Sequence, residues 1–293
     1  QDQLTEGAET LTLKLNALVP GTGLINSSSA SVLINDSSLT PVTPVEPPPE
    51  KPTDVVTEDK VTQDKLTEDK VTQDKVSLAS NASDVFSWLP STTAGQFNGL
   101  GGTDTLKVSG LLKDFEISAA ASSAQASTSL STSAKVTEAK TNFTASLQNI
   151  ERLVFSDLSL ALDTQATDSA GKAALIAGAV FGPTFVKDTQ VLGALISLLD
   201  ANQMTDAQVA SFALGVMLGE SASNKSVVDL LYRNLTGAMP SAAVEANYLN
   251  MIEGGIYTPS SLALFAANHE LNKTNISFVG IAEHGLIYLP FGV

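Results

Sequence analysis

Side chains able to do acid–base or metal chemistry are few and scattered in this sequence. There are two histidines, His269 and His284, two arginines, Arg152 and Arg233, and no cysteine. Without cysteine, disulfides, thiolate catalysis and zinc–thiolate sites are excluded. No GxSxG, HExxH or phosphate-binding glycine loop is present, so no local signature of acyl transfer, metalloprotease or nucleotide chemistry marks the chain. Two lone histidines on helical segments are the ordinary occupants of surfaces and satisfied cores. The expectation is a protein that is not an enzyme.

Acid dominates instead. Aspartate and glutamate number 31 against 16 lysines and arginines, a formal charge of −15. Nucleic acid is a poor partner for such a chain, because phosphate recognition needs clustered cations. An acidic surface attracts divalent cations, and it equally serves solubility. No apolar run is long enough to span a bilayer. Gln1–Leu13 lacks the basic and apolar regions of a signal peptide, and the chain does not begin with methionine, the look of a segment taken from something longer.

The elements that must position these groups change character along the chain. The fold class expected is multidomain, β then α. Residues 1–40 hold two alternating strand patterns, within Thr10–Leu18 and Ala30–Asn35. Residues 41–76 form a linker: PVTPVEPPPEKP (41–52) favours extended polyproline II, and VTEDK, VTQDK, LTEDK, VTQDK (56–75) makes no apolar stripe on either a helix or a strand. Residues 77–165 read as a small β-rich region. Strand patterns fall at Asp84–Trp88, Gly99–Val108 and Phe115–Ser118, and Ala119–Lys140 is an Ala/Ser/Thr-rich insertion left without assigned structure. At the seam, Arg152–Phe155 and Leu158–Leu162 flank the turn pair Ser156-Asp157 as a hairpin. Residues 166–293 read as a helical bundle. Thr205–Gln208 is a capping box followed by Val209, Phe212, Ala213 and Val216 on one face. Val227, Leu230, Leu231 and Leu235 form a stripe stopped by Gly237. Pro240 is expected in a first turn, and Thr258-Pro259 opens a helix with Leu262, Phe265 and Ala266 inward.

Three stretches resemble known families. Glu6-Gly7-Ala8-Glu9-Thr10, then LTLKL, then SASVLINDSS, is similar to the closing part of a Calx-beta module. That resemblance implies a partial β-sandwich with calcium ligands at Glu6, Glu9 and Asp36. Two or three strands cannot bury a core alone, so either the front of the module lies outside this chain or another chain supplies strands. FNGLGGTDTLKVSG resembles one turn of an RTX β-roll, whose pattern GGxGxDxUx is met by Gly99, Gly102, Asp104 and Leu106, with Leu100 in place of a glycine. The resemblance implies Ca²⁺ at Asp104. LQNIERLVFSDLSLALD (147–163) is similar to a segment that closes the β-part of secreted RTX-like proteins. SVVDLLYRNLTGAMPSAAVEANYLNMIEGGIYTPSSLALFAANHE (226–270) is similar to a helical family of unknown function found in exported and surface-layer proteins.

These resemblances imply an extracellular structural or adhesive protein of a bacterial surface, calcium-linked, and exported by type I secretion with FVGIAEHGLIYLPFGV as the signal-bearing tail. The missing strands of the N-terminal sandwich add an expectation of a homo-oligomer or polymer by β-strand exchange, and a separate expectation is that residues 226–270 bind a cell-surface polysaccharide. A different expectation is that this chain is the export tail of a larger secreted enzyme.

Overall fold

The computed structural model describes residues 9–16, 27–34, 79–90, 94–119, 133–200 and 204–291. At the N-terminus, β1 (Glu9–Asn16) and β2 (Ser27–Ile34) pair antiparallel, in a register that sets Leu11 opposite Val32 and Leu13 opposite Ala30. The linker, residues 41–76, lies outside the described residues, as do Glu6 and Asp36.

From residue 79 the chain builds two β-sheets face to face. One holds β3 (Val85–Trp88), β5 (Thr105–Val108), β9 (Arg152–Val154), β10 (Ser159–Ala161) and β11 (Leu286–Tyr288), in the order β11-β10-β9-β5-β3. The other holds β4 (Gly95–Asn98), β6 (Phe115–Ala119), β7 (Ser133–Glu138) and β8 (Thr144–Gln148), in the order β4-β8-β7-β6. β3, β5 and β9 run parallel, and β4 runs parallel to β8. The segments β4–turn–β5 and β8–turn–β9 each cross from one sheet to the other, so the two units stack as successive turns of a roll. Leu286 and Tyr288 of β11 join the core of the helices, whereas alternation places one face of β3, β5, β7 and β8 in a shared core. Phe86, Trp88, Leu106, Val108 and Leu153 meet Val136, Ala145 and Leu147 there. Phe115 links the layers through tilted ring contacts with Trp88 at 6.2 Å and Phe155 at 5.2 Å, an arrangement aromatic quadrupoles favour.

Three strands in this region, β4, β7 and β8, were hidden from the sequence reading. β4 has a glycine and two polar residues in four. β7 lies inside the Ala/Ser/Thr-rich insertion, where Ala134 and Val136 alternate inward between Ser133, Lys135 and Thr137. Low-complexity composition masked an ordinary period-two strand.

The helical part is built from α1 (Ser169–Ile176), a π-helical turn (Ala177–Phe181), a 3₁₀ turn (Pro183–Lys187), α2 (Thr189–Asp200), α3 (Asp206–Leu218), α4 (Asn224–Thr236), α5 (Ala242–Glu253), α6 (Pro259–Asn268), α7 (Glu270–Asn275) and α8 (Phe278–His284). The caps behave as the residue types dictate. Thr205 and Gln208 close a capping box on α3, Thr258 and Ser261 close one on α6, and Gly237 ends α4 in the left-handed conformation. Ser241 caps α5, so Pro240 precedes the helix rather than sitting in its first turn. The π turn widens the helix and disturbs its hydrogen-bond ladder. Asn234 Nδ2 donates to the carbonyls of Ala179 and Val180, both at 2.9 Å, and buried Asn272 Nδ2 donates to those of Leu175 at 2.9 Å and Ala267 at 2.7 Å.

The C-terminus does not stay helical. After α8 the chain enters β11 and pairs antiparallel with β10, Leu286 opposite Ala161. Gly193 makes this return possible: a Cβ there would lie 1.7 Å from the Leu289 carbonyl oxygen. The layout is β then α, closed by one strand that comes back to the first sheet.

Candidate functional site

The parallel register fixes the main polar feature. Val85 lies opposite Thr105, and Thr105 opposite Arg152. The residues just before them, Asp84, Asp104 and Glu151, therefore fall on successive rungs. Each heads the same short pattern, an acid followed by apolar residues at the second and fourth places: DVFSW, DTLKV and ERLVF. The sequence reading singled out the Asp104 rung alone, and the structure sets Asp84 and Glu151 on the rungs beside it.

The rungs are joined by carboxylates accepting backbone N–H groups. Asp84 N–H donates to Asp104 Oδ1 at 2.8 Å, and Asp104 N–H donates to Glu151 Oε2 at 2.8 Å. At the outer end, the Asp84 carboxylate accepts from Ser80 through both its N–H at 2.6 Å and its hydroxyl at 2.9 Å. Ser80 thus supplies at the end of the ladder what a further rung would supply within it.

Asp104 is completely buried, and its second oxygen, Oδ2, has no hydrogen-bond partner. Burying a carboxylate oxygen unpaired is costly. Oδ2 points at Gly99: a Cβ on that residue would lie 2.2 Å from Asp104 Oδ2 and 2.1 Å from the Asn149 carbonyl oxygen. Only glycine fits there, and it leaves two hard oxygens turned toward one small space. Burial pushes the Asp104 carboxyl above the usual carboxylate range, with the Asp84 charge adding to the effect. Glu151 is pushed up to about 7, first by burial and then by the charges of Asp104 and Asp163, against the opposing Asp104 N–H and Arg152.

The turns carry backbone strain as well. Leu100 has φ 68° and Asn149 has φ 50°. Asparagine tolerates that region, whereas leucine does so only at a cost. Leu100 occupies the place where the repeat pattern has glycine.

Beside the ladder stands a buried guanidinium. Arg152 is 3% exposed. It donates through Nε and Nη2 to Asp200 at 3.1, 2.7 and 2.9 Å, and through both Nη atoms to Asp163; Nη1 also reaches the Glu151 carbonyl at 3.0 Å. Asp200 is the last residue of α2, and Asp163 Oδ2 also accepts the Ala170 N–H in the first turn of α1 at 3.4 Å. One side chain therefore ties β9 to the entry of α1 and the end of α2. Asp163 sits above the usual carboxylate range through burial, partly offset by Arg152.

The sequence-derived ligand candidates divide accordingly. Asp104 joins Asp84 and Glu151, neither of which the sequence reading selected. Glu9 begins β1, where only the backbone is described, and Glu6 and Asp36 fall outside the described residues. Among the described residues no group of three or more histidine, aspartate or glutamate side chains is arranged to hold a metal ion. The oxygens beside Gly99 match a hard cation in chemistry and fall short of the six to eight ligands Ca²⁺ takes. Both histidines have structural work. His269 Nδ1 accepts the Leu271 N–H at 3.2 Å and its ring packs on Phe265, and His284 Nδ1 lies 3.0 Å from the Gly280 carbonyl. No described helix is long and apolar enough to cross a membrane. Comparison with protein-family models, with curated proteins and with solved structures gives no match.

Proposed function

We propose that this chain is a non-catalytic structural or adhesive module of a bacterial exterior, whose β-part is set by Ca²⁺ and whose copies self-assemble. One observation carries the reading: the three-rung carboxylate ladder with a fully buried, unpartnered Asp104 oxygen. A carboxylate in that position is either protonated or waiting for a cation. Asp104 Oδ2, the Asn149 carbonyl and Glu151 would hold the ion, and water would complete its shell. Few protein ligands imply weak affinity, in the millimolar range of extracellular calcium modules. The ladder would then be loose in a calcium-poor cytosol and firm outside, which suits an exported protein.

The Arg152 node gives the same reading a mechanical side. Because α1 and α2 are clamped to β9, an ion that stiffens the ladder also fixes the helical part. The N-terminal hairpin, two strands with no third among the described residues, is the element that strand exchange with a neighbouring copy would complete.

The experiment is sedimentation of the purified chain with millimolar Ca²⁺ or with EDTA. Calcium-dependent assemblies larger than the monomer are expected. Strict monomers in both conditions, up to high protein concentration, contradict assembly.

A further inference from the structure

The helical part carries a second surface that neither the ladder nor assembly by strand exchange uses. Between α4, α5, α6 and α7 lies an apolar groove with a cavity of about 130 Å³, walled by Tyr232, Leu235, Tyr248, Phe265, His269 and Leu271. The sequence reading placed Phe265 inward, but it is 45% exposed, because at its position the bundle has a groove where a neighbouring helix would be. Leu271 is 45% exposed and Ile256 is 69% exposed. Helix α5 has no fully buried residue. Tyr257 packs on Phe265 at 5.6 Å, and Phe265 on His269 at 6.0 Å. The chain has four tyrosines; Tyr232 and Tyr248 line the groove, and Tyr257 packs on the Phe265 of its wall. In a chain only 5% aromatic, that concentration marks a binding surface, since tyrosine supplies large contact area with little rotamer freedom to lose.

We propose that this groove docks a polyproline-II segment, and that its occupant is residues 41–52 of this same chain type. The match is one of spacing and chemistry. Polyproline II repeats every three residues, and Pro41, Pro44 and Pro47 are three apart. They make one apolar ridge. Val42, Val45 and Pro48 make a second beside it, and Thr43 and Glu46 fall on the third. A helix with two adjacent apolar ridges is the ligand that aromatic-lined grooves accept, and its preformed backbone keeps the entropic cost low. Reach is sufficient: the 26 residues from 53 to 78 span up to about 85 Å when extended, so the groove of the same copy or of a neighbour is accessible. This inference is independent of calcium.

The cysteine-free background allows a direct test. Asn268 is exposed at the edge of the groove, and its side chain bonds only the Leu264 carbonyl of its own helix. In the full-length chain carrying Thr43→Cys and Asn268→Cys, mild oxidation should give a disulfide at high yield. It would appear within the monomer if the segment docks in its own copy, and as a dimer if it docks in a neighbour. Either product supports docking. Adding Pro41→Ala, Pro44→Ala and Pro47→Ala, which leaves the folded core untouched, should cut the yield at least fivefold. A yield unchanged by the triple substitution, or no higher than that of a control pair with Thr57→Cys in place of Thr43→Cys, would overturn the proposal. A second measurement uses the ¹⁵N-labelled triple-alanine chain, titrated with a synthetic peptide of residues 39–53. Shifts confined to Tyr232, Tyr248, Tyr257, Phe265, His269 and Leu271 are expected, and their absence at millimolar peptide would overturn it equally.

Discussion

The β-roll and the helical bundle solve the same problem with different materials. The bundle buries an apolar core around α1, α2 and α3, and the amide nitrogens of half-buried Asn234 and buried Asn272 each donate to two backbone carbonyls. The roll buries a smaller core and runs a line of carboxylates along one edge of it, with Asp104 Oδ2 left unpartnered on that line. The difference teaches where control lies. Apolar packing is insensitive to protons and cations, whereas a buried carboxylate ladder responds to both. The bundle is the constant part and the roll the adjustable part, and Arg152 is where one is fastened to the other.

The largest effect should come from breaking that fastening. Arg152→Met leaves Asp163 and Asp200 facing each other at the junction, without their cation. Removing one partner of a buried ion pair costs about 3–5 kcal/mol. Urea denaturation followed by Trp88 fluorescence for the roll and by far-ultraviolet circular dichroism for the bundle should change from one shared transition to two. A single transition at an unaltered midpoint would show that the halves are coupled elsewhere.

The next effect is a pH dependence confined to the roll. Glu151 sits near 7 in the folded protein and at 4.5 ordinarily. The folded state therefore holds this proton more tightly than the unfolded state. Its contribution to stability is fully present below about pH 4.5 and is lost as pH rises through 7. The thermal midpoint of the roll should fall between pH 5 and pH 7.5. Glu151→Gln keeps an acceptor for the Asp104 N–H and should flatten that slope while leaving the bundle unaffected; an unchanged slope would place the titrating group elsewhere.

Smaller still is a cap in the constant part. Thr205→Ala removes the hydroxyl that accepts the Gln208 N–H in the α3 capping box and should cost about 1 kcal/mol, independent of pH and calcium. Smallest is a gain. Leu100→Gly relieves a left-handed leucine whose side chain is half exposed and should stabilise the roll by about 0.5–1 kcal/mol, visible as a small rise in its midpoint.

Much of the bundle was legible because its signals are local. Caps such as Thr205–Gln208 and Thr258–Ser261 and the stripe Val227, Leu230, Leu231 each lie within a few residues. The hairpin at the seam was legible for the same reason. The ladder was not, because it is made by register. Asp84, Asp104 and Glu151 are 20 and 47 residues apart, and their kinship shows only once parallel pairing sets them on one line. The repeated acid-headed pattern was present in DVFSW, DTLKV and ERLVF, but unequal spacing disguised it. Arg152 was assigned only to a strand, since its partners come from the start of α1 and the end of α2. β11 was read with the helical region because nothing local tells a final strand that its partner lies far back in the chain, Leu286 opposite Ala161.

The account turns on Asp104, and one measurement addresses it directly: the melting curve of the full-length chain at pH 7.5 in EDTA and in 10 mM Ca²⁺, beside the same pair for Asp104→Asn. Asparagine keeps an acceptor for the Asp84 N–H and replaces the unpartnered oxygen with a neutral amide, so the variant should fold in EDTA at least as stably as the parent. Ten times the dissociation constant of calcium is worth about 1.4 kcal/mol, or roughly 3–6 °C for a domain of 150–250 residues. The account predicts a rise of that order in the parent and none in the variant. A parent midpoint that does not move with calcium, or an Asp104→Asn chain that responds as the parent does, would contradict it.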